Sequence, residues 1–106
     1  MSEDNQTLIP RSFVDLFIPP GGYKPREPRE VVAARYELCE DMAQMLTEQA
    51  RMKLFDLGGT ESEVLAKVRQ GLLVAQSVVT EDEVEWTVCR LAELLGWPLP
   101  SERLAD

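Results

Sequence analysis

The run from residue 29 to residue 57 contains neither proline nor glycine, and it constrains the fold of this chain more than any other stretch. Apolar side chains recur along it every three or four residues, which is the period of one face of a helix. A second, less regular apolar stripe runs beside the first, and together they would form a face wide enough for two partner helices. The first stripe comprises Val32, Tyr36, Cys39, Ala43, Leu46, Ala50, Leu54 and Leu57, and the second comprises Val31, Leu38, Met42, Met45 and Met52.

The predicted helix over 29–57 is long for a chain of this size. At 1.5 Å per residue it would extend roughly 43 Å, whereas a domain of about 100 residues has a radius of gyration near 13 Å. We therefore expect one end to project from the domain, or to be covered by the tails or by a second copy of the chain. A homodimer through this helix is one expectation.

Two capping boxes predict the starts of two further helices. Thr60 with Glu63, and Thr80 with Glu83, have the spacing in which a threonine and a glutamate cap a helix reciprocally. The predicted helices cover residues 61–71 and 81–95. Glycines are expected to cap the helix ends, and Trp97-Pro98 prevents continuation of the last helix. The capping glycines are Gly58 after the long helix, Gly71 and Gly96.

The segment from Leu8 to Ile18 predicts a short helix over residues 12–18, ended by Pro19-Pro20. Ser12 and Asp15 have capping-box spacing, with the shorter aspartate in place of glutamate. Phe13, Leu16 and Phe17 share one side of this helix. A helix of two turns is marginal in water unless it docks. Its own domain is the favoured site, with a second copy or a groove on another protein as alternatives.

Residues 19–28 form a proline- and glycine-rich connector, and Tyr23 between Lys24 and Arg26 is its chemically notable part. No stretch alternates as a strand does. The fold class is therefore all-α: a small bundle of three main helices and a short N-terminal one. The predicted organisation is a disordered tail over 1–7, one helical domain over 8–100 and a polar tail over 101–106.

The net charge of −8 disfavours nucleic acid and anionic membrane surfaces as partners. No signal peptide and no apolar run of membrane-spanning length occurs, so we expect a cytoplasmic protein. The chain has no histidine, which excludes imidazole as a general base and as a metal ligand. Cys39 and Cys89 fall on inward stripes and are expected to be reduced and buried. No cofactor is expected.

Carboxylates offer the remaining route to catalysis. Acidic residues cluster on the long helix and again at the start of the last helix, and hard cations prefer several oxygen ligands. Facing clusters of this kind would make a magnesium-dependent all-α nucleotide pyrophosphohydrolase, which is the alternative function. The simpler interpretation is a solvated helix face and a helix N-terminus that favours negative charge. The candidate ligands are Glu37, Glu40, Asp41, Asp82 and Glu85.

The patterns favour a non-enzymatic protein-interaction module over an enzyme. Methionines on the long helix could fill a core or form an adaptable surface, and Trp86 lies beside the inward stripe of the last helix. The candidate partner-binding residues are Phe13, Leu16, Phe17, Tyr23 and Trp86.

Three stretches, Ser12–Phe17, Ala34–Ala43 and Arg90–Pro98, carry a resemblance that spans most of the chain. They resemble a family of small uncharacterised proteobacterial proteins sometimes labelled as an ATPase with chaperone activity. The chain has no phosphate-binding loop and no strands to hold one. The resemblance therefore implies an accessory protein that accompanies such a machine, and it implies no particular site residues.

Overall fold

The computed structural model describes residues 8–74 and 78–99, and every regular element in those ranges is helical. The elements are α1 (Arg11–Val14), a 3₁₀ turn (Asp15–Phe17), α2 (Arg29–Leu57), α3 (Glu61–Val74) and α4 (Glu81–Leu95). No strand occurs in this described part. The all-α prediction is therefore confirmed, and α2 and α4 begin and end at the predicted residues. Predictions for both tails and for the loop residues 75–77 lie outside the described residues.

The chain divides into two units, one through Leu38 and one from Cys39 onward, with α2 passing from the first to the second. The first unit contains α1, the 3₁₀ turn, the connector and the start of α2. The second contains the rest of α2 with α3 and α4.

Phe13 is the centre of the first unit. It is fully buried, and its ring lies 5.5 Å from the ring of Phe17 and 5.7 Å, edge-on, from that of Tyr36 on α2. Tilted and edge-on ring pairs at these distances are favourable geometries. The short N-terminal segment is therefore ordered by packing on the start of α2.

The predicted capping box of Ser12 and Asp15 is wrong. The helix begins one residue earlier, at Arg11, and Pro10 is its N-cap, with no side-chain cap. The carbonyl of Pro10 accepts the N–H groups of Phe13 and Val14, and Asp15 accepts a hydrogen bond from Arg11. Ser12 therefore lies inside α1 and Asp15 is the C-cap of α1, so neither residue holds the position that a capping box requires.

The connector is irregular, as predicted, but a hydrogen bond and a cation–π contact join its two ends. Pro19 to Gly22 form a type II turn, in which the N–H of Gly22 donates to the carbonyl of Pro19 and Gly21 takes a φ of 80°. The N–H of Arg26 donates to the carbonyl of Phe17 at 2.8 Å, and the Arg26 guanidinium lies 5.7 Å from the Phe17 ring. The two ends of the loop are thus fastened together.

The core of the second unit is built from all three of its helices. The inward stripe of α2 supplies small side chains, which allow close approach, while α3 and α4 supply larger ones and pack on each other. The predicted inward stripe is confirmed by the described residues; the side chain of Leu57 lies outside them. The buried apolar residues are Cys39, Ala43, Ala50, Val64, Leu65, Val68, Val79, Val84, Val88, Leu91 and Ala92.

Both threonine capping boxes form as predicted. In each box the threonine hydroxyl accepts the N–H of the glutamate, and the glutamate carboxylate accepts the N–H of the threonine. Helix α4 ends at Gly96 in the left-handed conformation, with a φ of 73°, and the N–H of Trp97 reaches the carbonyl of Ala92. That pattern is a Schellman motif.

Two details of this unit differ from prediction. Helix α3 runs through Gly71 to Val74, because Leu72 and Leu73 are half-buried and their packing outweighs the roughly 1 kcal/mol helix penalty of one glycine. Cys39 is buried as predicted, but Cys89 is only half-buried, since it lies at the edge of the inward face of α4; neither of these two cysteines forms a disulfide bond.

Candidate protein-interaction surface

The part of α2 in the second unit exposes three large apolar side chains, which we call the α2 stripe. Met45 is 67% exposed, Met52 is 60% exposed and Phe55 is 87% exposed. Steps of seven and three residues place them on one helical face. That face is opposite the buried side of the helix. The prediction that Met45 and Met52 belong to a second covered stripe is therefore wrong, because no described helix of the unit covers them.

The residues around the α2 stripe are charged and mainly acidic. Glu48 lies within the stripe, Asp41 lies in line with it one turn towards the N-terminus, and Asp56 borders it; all three are exposed. Arg51 lies at the other border, whereas Lys53 lies toward the buried side of the helix. This helix face is therefore net acidic, as is the whole chain, which carries −8.

The structure separates the predicted partner-binding residues into three groups. Phe13 and Phe17 are buried and Leu16 is half-buried, so most of their apolar surface packs inside the first unit and is not accessible to a partner. Trp86 on α4 is half-buried. Tyr23 is 84% exposed at the tip of the fastened loop, which makes it the member of the predicted set that is open to a partner.

Two of the predicted metal ligands are held by arginines. Arg90 of α4 donates two hydrogen bonds to the carboxylate of Glu40 on α2, from Nε at 2.8 Å and from Nη2 at 3.0 Å. The bonds from Arg90 are the main reason that the pKa of Glu40 lies below its ordinary value, and a bond from Gln44 acts in the same direction against the effect of burial. Glu85 is paired with Arg69 of α3.

The other three candidate ligands, Glu37, Asp41 and Asp82, are exposed. Within residues 8–74 and 78–99, no three acidic or cysteine side chains lie close enough together to hold a metal ion. Among the candidate ligands, Glu40 and Glu85 are ion-pair partners, and Asp82 adds negative charge at the start of α4.

An open groove of about 430 Å³ lies along the outer side of α3. Its polar lining includes Glu63, whose carboxylate already caps the helix through the N–H of Thr60. The groove therefore offers Lys67 and Gln70 as its remaining polar groups, which do not form a reactive set. Its lining is Gly59, Glu63, Val64, Ala66, Lys67 and Gln70.

No protein-family model, no curated protein and no solved structure matches this chain. None of the helices in the described residues is both long and apolar enough to span a membrane. The α2 stripe and the exposed Tyr23 therefore have to be interpreted from their own chemistry.

Phe55 is the site residue that the sequence patterns missed. It belongs to neither predicted stripe, yet it is the most exposed of the three apolar residues. Its spacing from Met52 and Met45 would have revealed a third line of apolar residues, on the side of α2 away from the core.

Proposed function

We propose that this protein is a non-enzymatic helical interaction module whose binding surface is the α2 stripe. One observation carries the proposal: Met45, Met52 and Phe55 are each at least 60% exposed on one face of a regular helix. Large exposed apolar residues grouped on one face with a polar border are typical of protein-binding surfaces. Methionine and phenylalanine are also enriched at the centres of such interfaces.

The expected partner surface is apolar and helical or grooved. A helix face with anchors at these spacings fits the helix-in-groove and helix-on-helix modes of recognition. Burial of each side chain would contribute about 1.5–3 kcal/mol before the costs of association. Three anchors therefore support a modest affinity, suited to an accessory protein.

The acidity of the chain supports the remaining parts of the proposal. A protein with a net charge of −8 is repelled by nucleic acid and by anionic lipid, which supports a protein partner. The location that we propose is the cytoplasm. The resemblance to proteins labelled as an ATPase with chaperone activity suggests a role beside such a machine. The module would supply binding, and the partner would supply any nucleotide chemistry.

Site-specific photo-crosslinking in the native host tests this function. A photoreactive amino acid replaces Met52 in the α2 stripe, and in a matched control it replaces Ser62, an exposed residue on α3. We expect one adduct of defined mass from position 52, none from position 62, and loss of the adduct when Phe55→Glu is added. Absence of an adduct that depends on Phe55 would contradict the proposal.

A further inference from the structure

Tyr23 is the exposed aromatic residue that the α2 stripe leaves unexplained. It lies in the loop from Phe17 to Arg26 and is 84% exposed. Every residue from 19 to 31 is exposed, so none of these side chains belongs to the buried core of the first unit. The loop therefore presents an aromatic ring that the fold itself does not use.

The same loop is locally basic on an acidic chain. Residues 18–26 contain Lys24 and Arg26 and no acidic residue, so they carry +2, whereas the whole chain carries −8. Glu27 and Arg29 follow directly after the loop and cancel each other. Because salt screens charges beyond about 10 Å, a small ligand at the loop meets mainly this local positive charge.

Arg26 is held in position before any partner arrives. Its N–H donates to the carbonyl of Phe17 at 2.8 Å, and its guanidinium lies 5.7 Å from the centre of the Phe17 ring. The contact with the ring uses the charge of the guanidinium and none of its N–H donors. The turn from Pro19 to Gly22 orders the chain that leads to Tyr23. A loop that is ordered in advance loses less conformational entropy on binding.

We infer that this loop binds an acidic segment of another protein. Lys24 and Arg26 pair with carboxylates of that segment, and the ring of Tyr23 packs against its apolar atoms. Tyrosine and arginine are enriched among the residues that dominate the binding energy of interfaces, and charge-assisted hydrogen bonds to carboxylates are stronger than neutral ones. This inference does not depend on the α2 stripe, because it concerns a different surface.

The loop is too small for the other common polyanions. Single-stranded nucleic acid binds along a basic groove in which aromatic rings stack on successive bases, whereas the loop has one ring. Anionic lipid surfaces are recognised by clusters of about four to eight lysines and arginines, whereas the loop has two such residues. Both ligands also extend beyond the loop, where the charge of the chain repels them. A short carboxylate-bearing segment matches two cations and one ring.

Amide shifts of the full chain during titration with a model acidic peptide test the inference. The probe is an octapeptide of alternating glutamate and glycine, and its control has glutamine in place of glutamate. We expect saturable shifts at residues 22–26 with a dissociation constant on the order of 1 mM, and no saturable shift with the glutamine peptide. Raising the salt concentration about tenfold should weaken binding about 5-fold. Absence of saturable shifts with the glutamate peptide, or equal binding of the two peptides, would overturn the inference.

Lys24→Glu is the decisive substitution, and Lys67→Glu is its matched control. Both lysines are exposed, but Lys67 lies on α3, outside the loop. We expect Lys24→Glu and Tyr23→Ser each to weaken peptide binding about 5-fold, and Lys67→Glu to change it less than about 2-fold. Circular dichroism checks that the variants keep their helix content. An equal loss for the two lysine variants would mean that binding follows net charge, which would overturn the loop as the site.

Three further measurements test the identity of the partner. An octathymidine oligonucleotide and phosphatidylserine vesicles should each bind more weakly than the glutamate peptide; tighter binding of either that is lost in Lys24→Glu would overturn the acidic protein as the ligand. Loop shifts that change when the chain alone is diluted would assign the loop to a second copy and would also overturn it.

Phe55→Glu separates this inference from the proposed function. This variant alters the α2 stripe and should bind the glutamate peptide as the unchanged chain does. Loss of peptide binding in Phe55→Glu would place the site on α2 and overturn the inference. A failure of photo-crosslinking at position 52 would contradict the proposed function and leave peptide binding at the loop intact.

Discussion

Arg90 of α4 donates two hydrogen bonds from its guanidinium to the carboxylate of Glu40 on α2, at 2.8 Å and 3.0 Å. The same carboxylate accepts a hydrogen bond from Gln44 at 2.8 Å, and Arg90 also reaches Glu93 at 3.2 Å. The Glu40 side chain is only 17% exposed. Charge-assisted bonds of this bidentate form are stronger and more directional than neutral ones. The pair therefore fixes α4 against α2 within the second unit.

The stability contributed by Glu40 should depend on pH. Its folded-state pKa lies below the ordinary value of 4.5, so its contribution is fully present above that value and is lost as the pH falls through the folded-state pKa. We expect Glu40→Gln to lower the free energy of unfolding by about 1–2 kcal/mol at pH 7, and by less at pH 3. Urea unfolding at the two pH values measures this difference.

Glu93→Gln, in the more exposed part of the network, is the control and should lower the free energy of unfolding by less than Glu40→Gln does. If Glu40→Gln lowered the free energy of unfolding equally at both pH values, the prediction would be contradicted.

Phe13→Ala should destabilise the protein by about 3–5 kcal/mol, because it removes a fully buried ring that packs on Phe17 and Tyr36. Leu8→Ala, at an 86% exposed position in the same segment, should change stability by less than about 0.5 kcal/mol. Thermal and urea unfolding followed by circular dichroism give both values. A small effect of Phe13→Ala would mean that the N-terminal segment does not depend on this packing.

Two glycine substitutions should change the stability of the protein in opposite directions. Gly96 ends α4 with a φ of 73°, so Gly96→Ala forces a side chain into the left-handed region and should cost about 1 kcal/mol. Gly71 lies inside α3, and an added methyl group there meets no atom within 4 Å. Gly71→Ala should therefore stabilise the protein by about 0.5–1 kcal/mol. The urea concentration at the midpoint of unfolding tests both predictions. A shift of this midpoint in the same direction for both variants would contradict them.

Replacing the capping threonine should lower the free energy of unfolding more at α4 than at α3. Thr80→Ala and Thr60→Ala each remove the hydroxyl that accepts a glutamate N–H at 3.2 Å, but the box at Thr80 is partly buried and the box at Thr60 is exposed. We expect losses of about 1–2 and 0.5–1 kcal/mol respectively. Thr47→Ala is the control, since this hydroxyl bonds the carbonyl of Gln44 inside α2 and caps nothing. A loss at Thr47 equal to that at Thr80 would argue against capping as the cause.

Magnesium should produce no saturable response at the two acidic clusters. Arg90 and Arg69 already neutralise Glu40 and Glu85, so a cation would have to displace them. Amide shifts recorded during magnesium and manganese titrations to millimolar concentration provide the measurement. Coincident, saturating shifts around Asp41 and Asp82 would revive the nucleotide hydrolase as a function.

Local signals in the sequence predicted the helices well. The proline- and glycine-free run defined α2, and the threonine–glutamate pairs defined the starts of α3 and α4, because caps act through residues only three positions apart. The periodic pattern also identified the buried face of α2.

Long-range features could not be predicted in the same way. A period shows which residues share a face, but whether a neighbour covers that face depends on packing. The pattern therefore predicts a covered stripe that contains Met45 and Met52, and it includes Phe55 in neither stripe. The pair of Glu40 and Arg90 joins residues far apart in the chain, and no local pattern signals it. The end of α3 beyond Gly71 was decided by the packing of Leu72 and Leu73, against the intrinsic preference of glycine.

The loop from Phe17 to Arg26 offers a place to add sequence. Its two ends are fastened by the Arg26 N–H on the Phe17 carbonyl and by the guanidinium above the ring, so the length of its tip does not set the positions of the helices that it joins. Each doubling of loop length raises the closure cost by only about 0.6 kcal/mol. An epitope tag or a fluorophore-acceptor peptide inserted between Gly22 and Tyr23 would therefore label the protein without altering either capping box or the exposed face of α2.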